Sequence, residues 1–234
     1  MIHETPSGHN PLNAQDRGLI APAWHTVVVV LLFVGLAVTG AMNRGSSSLT
    51  APSASHGPLY ISLIAAEIGL IYLIRWGLSK GSTPLSTIVG PMDRSPAAWV
   101  RDIMIAAALW AVWMGIQILT SRFTNSSPTI SGLLPHGPID STLWIVVSVA
   151  AGIAEEFAFR GYLLRQFQAM TGSAPIALIL QALVFSIAHG YEGLVACAGI
   201  ALFGILFGII ALKAGNLRSC MIAHAWTDIA AGLI

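Results

Sequence analysis

AGIAEEFAFRGYLL, residues 151–164, is an apolar run interrupted by two adjacent glutamates and an arginine. A charged side chain in the middle of a bilayer costs about 2.5–3.5 kcal/mol on insertion scales, so it needs a partner or a function. On a helix, Glu156 and Arg160 are four residues apart with the acid first, the order that favours an ion pair. Glu155 is rotated by about 100° from Glu156 and does not readily share this arginine. The stretch predicts an intramembrane helix with one structural ion pair and one carboxylate that lacks a counter-ion.

The composition indicates an integral membrane protein. The chain has 234 residues, of which 55% are hydrophobic and 9% charged, whereas soluble domains contain about 25% charged residues. The net charge of +1 says nothing about nucleic acid, but the sequence has no basic cluster, so no nucleic acid is expected as a partner. The expected partner at this point is the lipid bilayer. Cys197 and Cys220 lie in late apolar stretches and are interpreted as free core cysteines.

Hydropathy predicts an all-α, polytopic membrane helical bundle of about seven transmembrane helices. We expect a flexible cytoplasmic tail at residues 1–23, without a cleavable signal peptide, and a single membrane domain at residues 24–234. The predicted spans are residues 24–42, 59–78, 103–120, 141–162, 176–191, 195–212 and 219–234. The last span is short for the ~20 residues that a bilayer requires.

The basic residues predict the orientation. Those assigned to one side are Arg17, Arg75, Lys80, Arg94, Arg101, Arg165, Lys213 and Arg218, against Arg44 and Arg122 on the other side. The positive-inside rule then places the N-terminus in the cytoplasm. The expected location is the cell (inner) membrane.

Three polar motifs lie within the later spans at helical spacing. They are EEFAFR at residues 155–160, FSIAH at 185–189 and HAWTD at 224–228. With Arg165 and Arg218 as cytoplasmic markers and ~1.5 Å rise per residue, Glu155 lies ~15 Å deep and His224 ~9 Å deep. By the same rise, Asp228 lies ~15 Å deep and His189 ~20 Å deep. Titratable groups at similar depth are costly unless they share a hydrated cavity.

A carboxylate and imidazoles in a hydrated pocket are compatible with two kinds of hydrolysis. The acid can act as general base on a water that histidine positions, or Glu, His and His can bind zinc with one coordination position open. The HExxH spacing is absent. A non-enzymatic binding or immunity protein, whose polar residues only hold helices together, is a further alternative. A proton-relay transporter is disfavoured because no inverted repeat is visible. Glu67, in the second span, is interpreted as a structural or helix-edge group.

The three motifs together resemble the EExxxR, FxxxH and HxxxN/D motifs of the CPBP family of intramembrane proteases, which includes Rce-type CAAX prenyl endopeptidases and bacteriocin-processing or immunity-related homologues. The resemblance covers residues 141–234, the CPBP-like catalytic core. It implies that Glu155 is the catalytic base and that His189 holds the attacking water.

The same resemblance assigns the remaining motif residues. His224 and Asp228 take the oxyanion-stabilising positions, and Glu156, Arg160 and Phe185 support the site. The resemblance implies hydrolysis of a peptide bond in a membrane-associated peptide or protein, with no cofactor and no metal. Where many members have Asn, this chain has Asp228, which can donate to an oxyanion only when protonated or can instead orient His224.

Overall fold

A computed structural model describes residues 18–42, 56–91, 93–121 and 133–234, and these residues are helical with no strand. The expected tail up to residue 17, and residues 43–55 and 122–132 of two predicted loops, lie outside the described residues. The α-helices are α1 (Ala23–Met42), α2 (Gly57–Lys80), α3 (Leu85–Val89), α4 (Pro96–Ser121), α5 (Gly137–Glu156), α6 (Leu164–Thr171), α7 (Ala174–Ala188), α8 (Leu194–Ala214) and α9 (Arg218–Leu233). A π-helix (Phe157–Leu163) joins α5 to α6, and a 3₁₀ turn (Gly190–Glu192) joins α7 to α8.

The predicted multi-pass helical bundle is confirmed. Five helical segments among the described residues are long and apolar enough to cross a membrane: α1, α2, α4, α8 and the continuous 35-residue segment Gly137–Thr171. The other two predicted spans correspond to α7 and α9, which have only 15 and 16 residues. The sequence also predicts an amphipathic continuation of the fourth span over residues 163–170, and the helix does continue to Thr171, whereas α3 was not predicted.

Helix α5 lies at the centre of the packing. It packs against α2 and α9, α9 packs in turn against α4, and α7 packs against α1, α6 and α8. Large apolar side chains remain exposed on the outer surface, as Leu31 of α1, Tyr72 of α2 and Met104 of α4 illustrate. Apolar surface of this extent is typical of helices that face lipid.

Polar contacts attach α1 to the helix that carries the charged stretch. Tyr162 Oη lies 2.8 Å from His25 Nδ1 and 2.9 Å from Thr26 Oγ1. Gln166 Oε1 accepts hydrogen bonds from the backbone N–H groups of Ile20 and Ala21. These side chains are buried, and within a bilayer such bonds hold neighbouring helices together.

A buried ion pair attaches α9 to α4 near their N-terminal ends. The carboxylate of Asp102 is fully buried and lies 2.8 Å from Arg218 Nε and 2.8 Å from Arg101 Nη2. The guanidinium carbon of Arg218 lies 4.3 Å from the ring centroid of Trp99. Since Arg218 is the first residue of α9, these contacts fix the start of the helix that carries the HAWTD motif.

Gly152 allows α5 and α9 to approach closely one turn before the two glutamates. A Cβ atom at this position would lie 2.8 Å from the backbone nitrogen of Ala225 and 2.9 Å from the backbone oxygen of Met221. Real Cβ atoms do not occur at such distances from backbone atoms. The close approach brings the glutamates of α5 next to the histidine of α9.

We therefore expect Gly152→Ala to separate α5 from α9 and to lower the free energy of unfolding by about 1–3 kcal/mol, as overpacking typically does. The midpoint of thermal unfolding in detergent measures the effect. Gly69→Ala is the matched control, because a Cβ atom at Gly69 of α2 meets nothing within 4 Å and alanine favours helix. Equal midpoints for the two variants would contradict the close approach.

Candidate active site

Arg160 is a buried cation enclosed by one carboxylate and three aromatic rings. Its Nη1 lies 2.9 Å from Glu156 Oε1, which confirms the predicted ion pair, and both side chains are fully buried. Its guanidinium carbon lies above three phenylalanine rings, at 4.4 Å from the centroid of Phe185, 5.4 Å from that of Phe203 and 5.6 Å from that of Phe207. Aromatic faces attract cations, more strongly where water is excluded. Phe185 therefore supports the site through Arg160.

The helix that carries Arg160 is wider than predicted. After Glu156 the backbone forms a π-helix, in which the N–H of Leu164 donates to the carbonyl of Phe159, five residues earlier. Such π-helical turns occur frequently at functional sites. Gly161 lies within this turn, where a Cβ atom would clash with the side chains of Ile88 and Leu217. The π-helix thus accommodates the close approach of α3 and the start of α9.

His224 is held between the two adjacent glutamates and Asp228. Its Nδ1 lies 2.8 Å from Glu156 Oε1, and its Nε2 lies 3.8 Å from Glu155 Oε2 and 3.7 Å from Asp228 Oδ2. Because a carboxylate accepts hydrogen bonds, Nδ1 carries a hydrogen and donates it to Glu156. This contact fixes the ring and directs Nε2 toward the other two carboxylates.

Glu155 faces the accessible side of this cluster. Its side chain is 18% exposed, whereas that of Glu156 is 0% exposed. The Oε2 atom of Glu155 is buried and has no hydrogen-bond partner among the described residues. The sequence predicts a carboxylate without an arginine partner at this position, and the basic group nearest to it in this cluster is the imidazole of His224.

His189 follows directly after α7 and presents one free ring nitrogen. Its Nδ1 lies 2.9 Å from the backbone carbonyl oxygen of Phe185, and the two rings are 4.8 Å apart. A carbonyl only accepts, so Nδ1 is the donor and Nε2 of the neutral ring is an acceptor. Asp228 and Glu192 both interact electrostatically with His189. His189 therefore lies within electrostatic range of the cluster, although the sequence predicts a greater depth in the membrane for His189 than for the other members.

Asp228 is the most accessible member, with a side chain that is 33% exposed. Its backbone oxygen accepts a hydrogen bond from Trp144 Nε1 at 2.8 Å, which ties this turn of α9 to α5. The short contact that orients His224 comes from Glu156 at 2.8 Å rather than from Asp228 at 3.7 Å. The carboxyl group of Asp228 therefore does not hold His224 in place, and it faces the same space as the carboxyl group of Glu155.

Three titratable groups of this region were not among the predicted site residues. Glu67 of α2 interacts electrostatically with Glu155, His224 and Asp228. Tyr191 and Glu192, in the 3₁₀ turn after His189, both interact with Glu155. The interpretation of Glu67 as a structural or helix-edge group missed these neighbours. The available signal was a lone acid in the middle of a predicted span, which is costly without a function.

Together these groups can perform acid–base chemistry on a water molecule. Glu155 is an accessible carboxylate, His189 offers an acceptor nitrogen, and His224 can donate from Nε2 when both ring nitrogens carry hydrogen. Within residues 18–42, 56–91, 93–121 and 133–234, no group of three or more His, Cys, Asp or Glu side chains is arranged to hold a metal ion. The arrangement fits hydrolysis by an activated water.

Comparison with known proteins identifies one related family. Residues 138–230 match the family model described as "Type II CAAX prenyl endopeptidase Rce1-like". The match contains all three motifs and begins at the start of α5. The chain matches none of the curated proteins and none of the solved structures.

Arg160→Met leaves the carboxylate of Glu156 buried without its cation, so we expect a loss of about 3–5 kcal/mol in the free energy of unfolding. Removing the charge of the partner as well, in Arg160→Met/Glu156→Gln, is expected to recover part of this loss. The unfolding midpoint measures both. Arg75→Met, on the exposed surface of α2, is the control, and an equal loss in that variant would contradict the ion pair's role.

Proposed function

We propose that the protein is an intramembrane endopeptidase of the glutamate type, because residues 138–230 match the family model of the Rce1-like type II CAAX prenyl endopeptidases. It hydrolyses a peptide bond in a membrane-associated peptide or protein, with water activated by Glu155. Five helical segments of the described residues are long and apolar enough to cross a membrane, which supports a multi-pass membrane protein. We place it in the cell (inner) membrane, with its N-terminus in the cytoplasm.

The observation that carries the proposal is the different surroundings of the two adjacent glutamates. Glu156 is fully buried and contacts both Arg160 and His224. Glu155 is partly exposed, and its contact with His224 Nε2 is long, at 3.8 Å. One glutamate is therefore engaged in structure, and the other is available to accept a proton from water.

In the proposed reaction, a water molecule is held between the carboxylate of Glu155 and Nε2 of His189. The water oxygen forms a bond to the carbonyl carbon of the substrate while one water proton moves to Glu155. The carbon–nitrogen bond then breaks, and the proton on Glu155 passes to the departing amine nitrogen. The products are a carboxylic acid and an amine, with no covalent enzyme intermediate and no cofactor.

The developing oxyanion requires hydrogen-bond donors at the position that its oxygen will occupy. His224 supports this role, because the contact between Nδ1 and Glu156 directs Nε2 toward Glu155 and Asp228. Asp228 can add a second donor only as the protonated acid. As a carboxylate it would instead favour the doubly protonated imidazole of His224.

Glu155→Gln is expected to lower kcat about 10²- to 10⁴-fold, the usual contribution of a general base, and His189→Ala is expected to lower it because the water loses an acceptor. Cleavage of quenched fluorescent peptides by the purified protein in liposomes measures both. Asp93→Asn is the control, since Asp93 is exposed on the connector before α4. Unchanged cleavage in folded Glu155→Gln would exclude the glutamate mechanism.

The same preparation distinguishes the two remaining alternatives. The proposal expects full activity after treatment with a chelator and no stoichiometric zinc by elemental analysis. Stoichiometric zinc with chelator-sensitive cleavage would establish a zinc hydrolase instead. If the wild-type protein cleaves no peptide, while Glu155→Gln alters only stability or partner binding, the protein is a non-enzymatic binding or immunity protein.

A further inference from the structure

Glu67 is an acidic residue in the middle of α2, outside the part of the chain that matches the family. Helix α2 packs against α5, which carries Glu155. The charged groups that act on Glu67 are Glu155 from α5 together with His224 and Asp228 from α9. Its Oε2 atom is buried and has no hydrogen-bond partner among the residues that the structure describes. The carboxylate therefore faces the catalytic cluster with an unused acceptor.

Other polar side chains of the bundle have a purely structural role, in which they form a hydrogen bond between two helices. Ser186 of α7 donates to the backbone oxygen of Cys197 in α8 at 2.7 Å, and Tyr162 Oη lies 2.8 Å from His25 Nδ1 of α1. Each bridges two helices through a direct hydrogen bond. Glu67 makes no comparable bond through Oε2, although a buried acceptor without a partner costs about 1–3 kcal/mol. A purely structural role in joining two helices does not account for the unfavourable free energy of this buried acceptor.

A bound substrate supplies the missing donor. To be cleaved, a peptide must lie in the site with its backbone extended, so that its N–H groups are not used within the peptide itself. Inside the membrane these N–H groups find no bulk water, and each must be satisfied by the protein. A carboxyl oxygen accepts such a hydrogen bond, and a hydrogen bond of this kind contributes about 0.5–1.5 kcal/mol.

We propose that Glu67 is a substrate-binding residue whose carboxylate accepts a hydrogen bond from a main-chain N–H of the substrate next to the scissile bond. This inference rests on the proposed function. Glu67 holds the peptide from the α2 side, while Glu155 and the two histidines act on the carbonyl and the water. Helix α2 thereby contributes to the site, although the three motifs lie on other helices.

The test uses the full chain in liposomes with quenched fluorescent peptides that end in a Cys-aliphatic-aliphatic-X sequence, with and without a farnesyl group on the cysteine. In a second peptide series, each backbone N–H is replaced in turn by an ester oxygen. We expect Glu67→Ala to raise KM about 2- to 10-fold, the loss of one hydrogen bond, with little change in kcat. Glu67→Gln keeps an acceptor oxygen and is expected to raise KM less.

The ester series identifies the hydrogen bond itself. At one backbone position the ester is expected to raise KM of the wild-type protein as much as Glu67→Ala does, and to have no further effect on Glu67→Ala. Tyr72→Phe is the matched control on α2, because this side chain is 68% exposed and KM should stay unchanged. The unfolding midpoint is measured for every variant.

Several outcomes would overturn the inference. Unchanged KM in folded Glu67→Ala, or a loss of kcat in Glu67→Gln as large as in Glu155→Gln, would exclude substrate binding through this oxygen. Ester effects that persist fully in Glu67→Ala would exclude it as well. Cleavage that requires Glu155 but not Glu67 would overturn this inference alone. Absence of any cleavage by the wild-type protein would overturn the proposed function, and this inference with it.

Discussion

A buried negative charge, the carboxylate of Glu156, is the constraint on which the site depends. It is fully shielded from solvent and is balanced on one side by Arg160 and on the other by His224. Removing either partner would leave a charge in a medium that solvates it poorly. The same contacts also align α5 with α9. The positions of the accessible residues Glu155 and Asp228 therefore depend on the ionic contacts of Glu156, which is inaccessible.

Much of the fold could be predicted from the sequence, because apolar length alone sets where helices cross a bilayer. The predicted spans fall within a few residues of α1, α2, α7, α8 and α9. The ion pair of Glu156 and Arg160 also follows from spacing within one helix. These features are local, so neighbouring residues in the chain contain the information that determines them.

The features that sequence reasoning missed depend on contacts between distant segments. The π-helix forms where Gly161 meets Ile88 and Leu217, and no pattern within residues 157–163 indicates that contact. The orientation of His224 by Glu156 requires α5 and α9 to be adjacent. The position of Glu67 also depends on contacts between distant segments. Glu67 belongs to none of the three sequence motifs, and only the packing of α2 against α5 brings it to the cluster. The catalytic roles themselves rest on the family resemblance.

The shortness of α7 has a consequence for the surrounding lipid. Its 15 residues extend about 22 Å at 1.5 Å per residue, and the 16 residues of α9 extend about 24 Å, whereas the hydrocarbon layer is about 30 Å thick. Such hydrophobic mismatch is relieved by a local dimple in the leaflet or by drawing polar headgroups inward. Beside these two helices the distance from bulk solvent to Glu155 is therefore shorter than half of a full hydrocarbon layer would make it, which eases the entry of water to this part of the bundle.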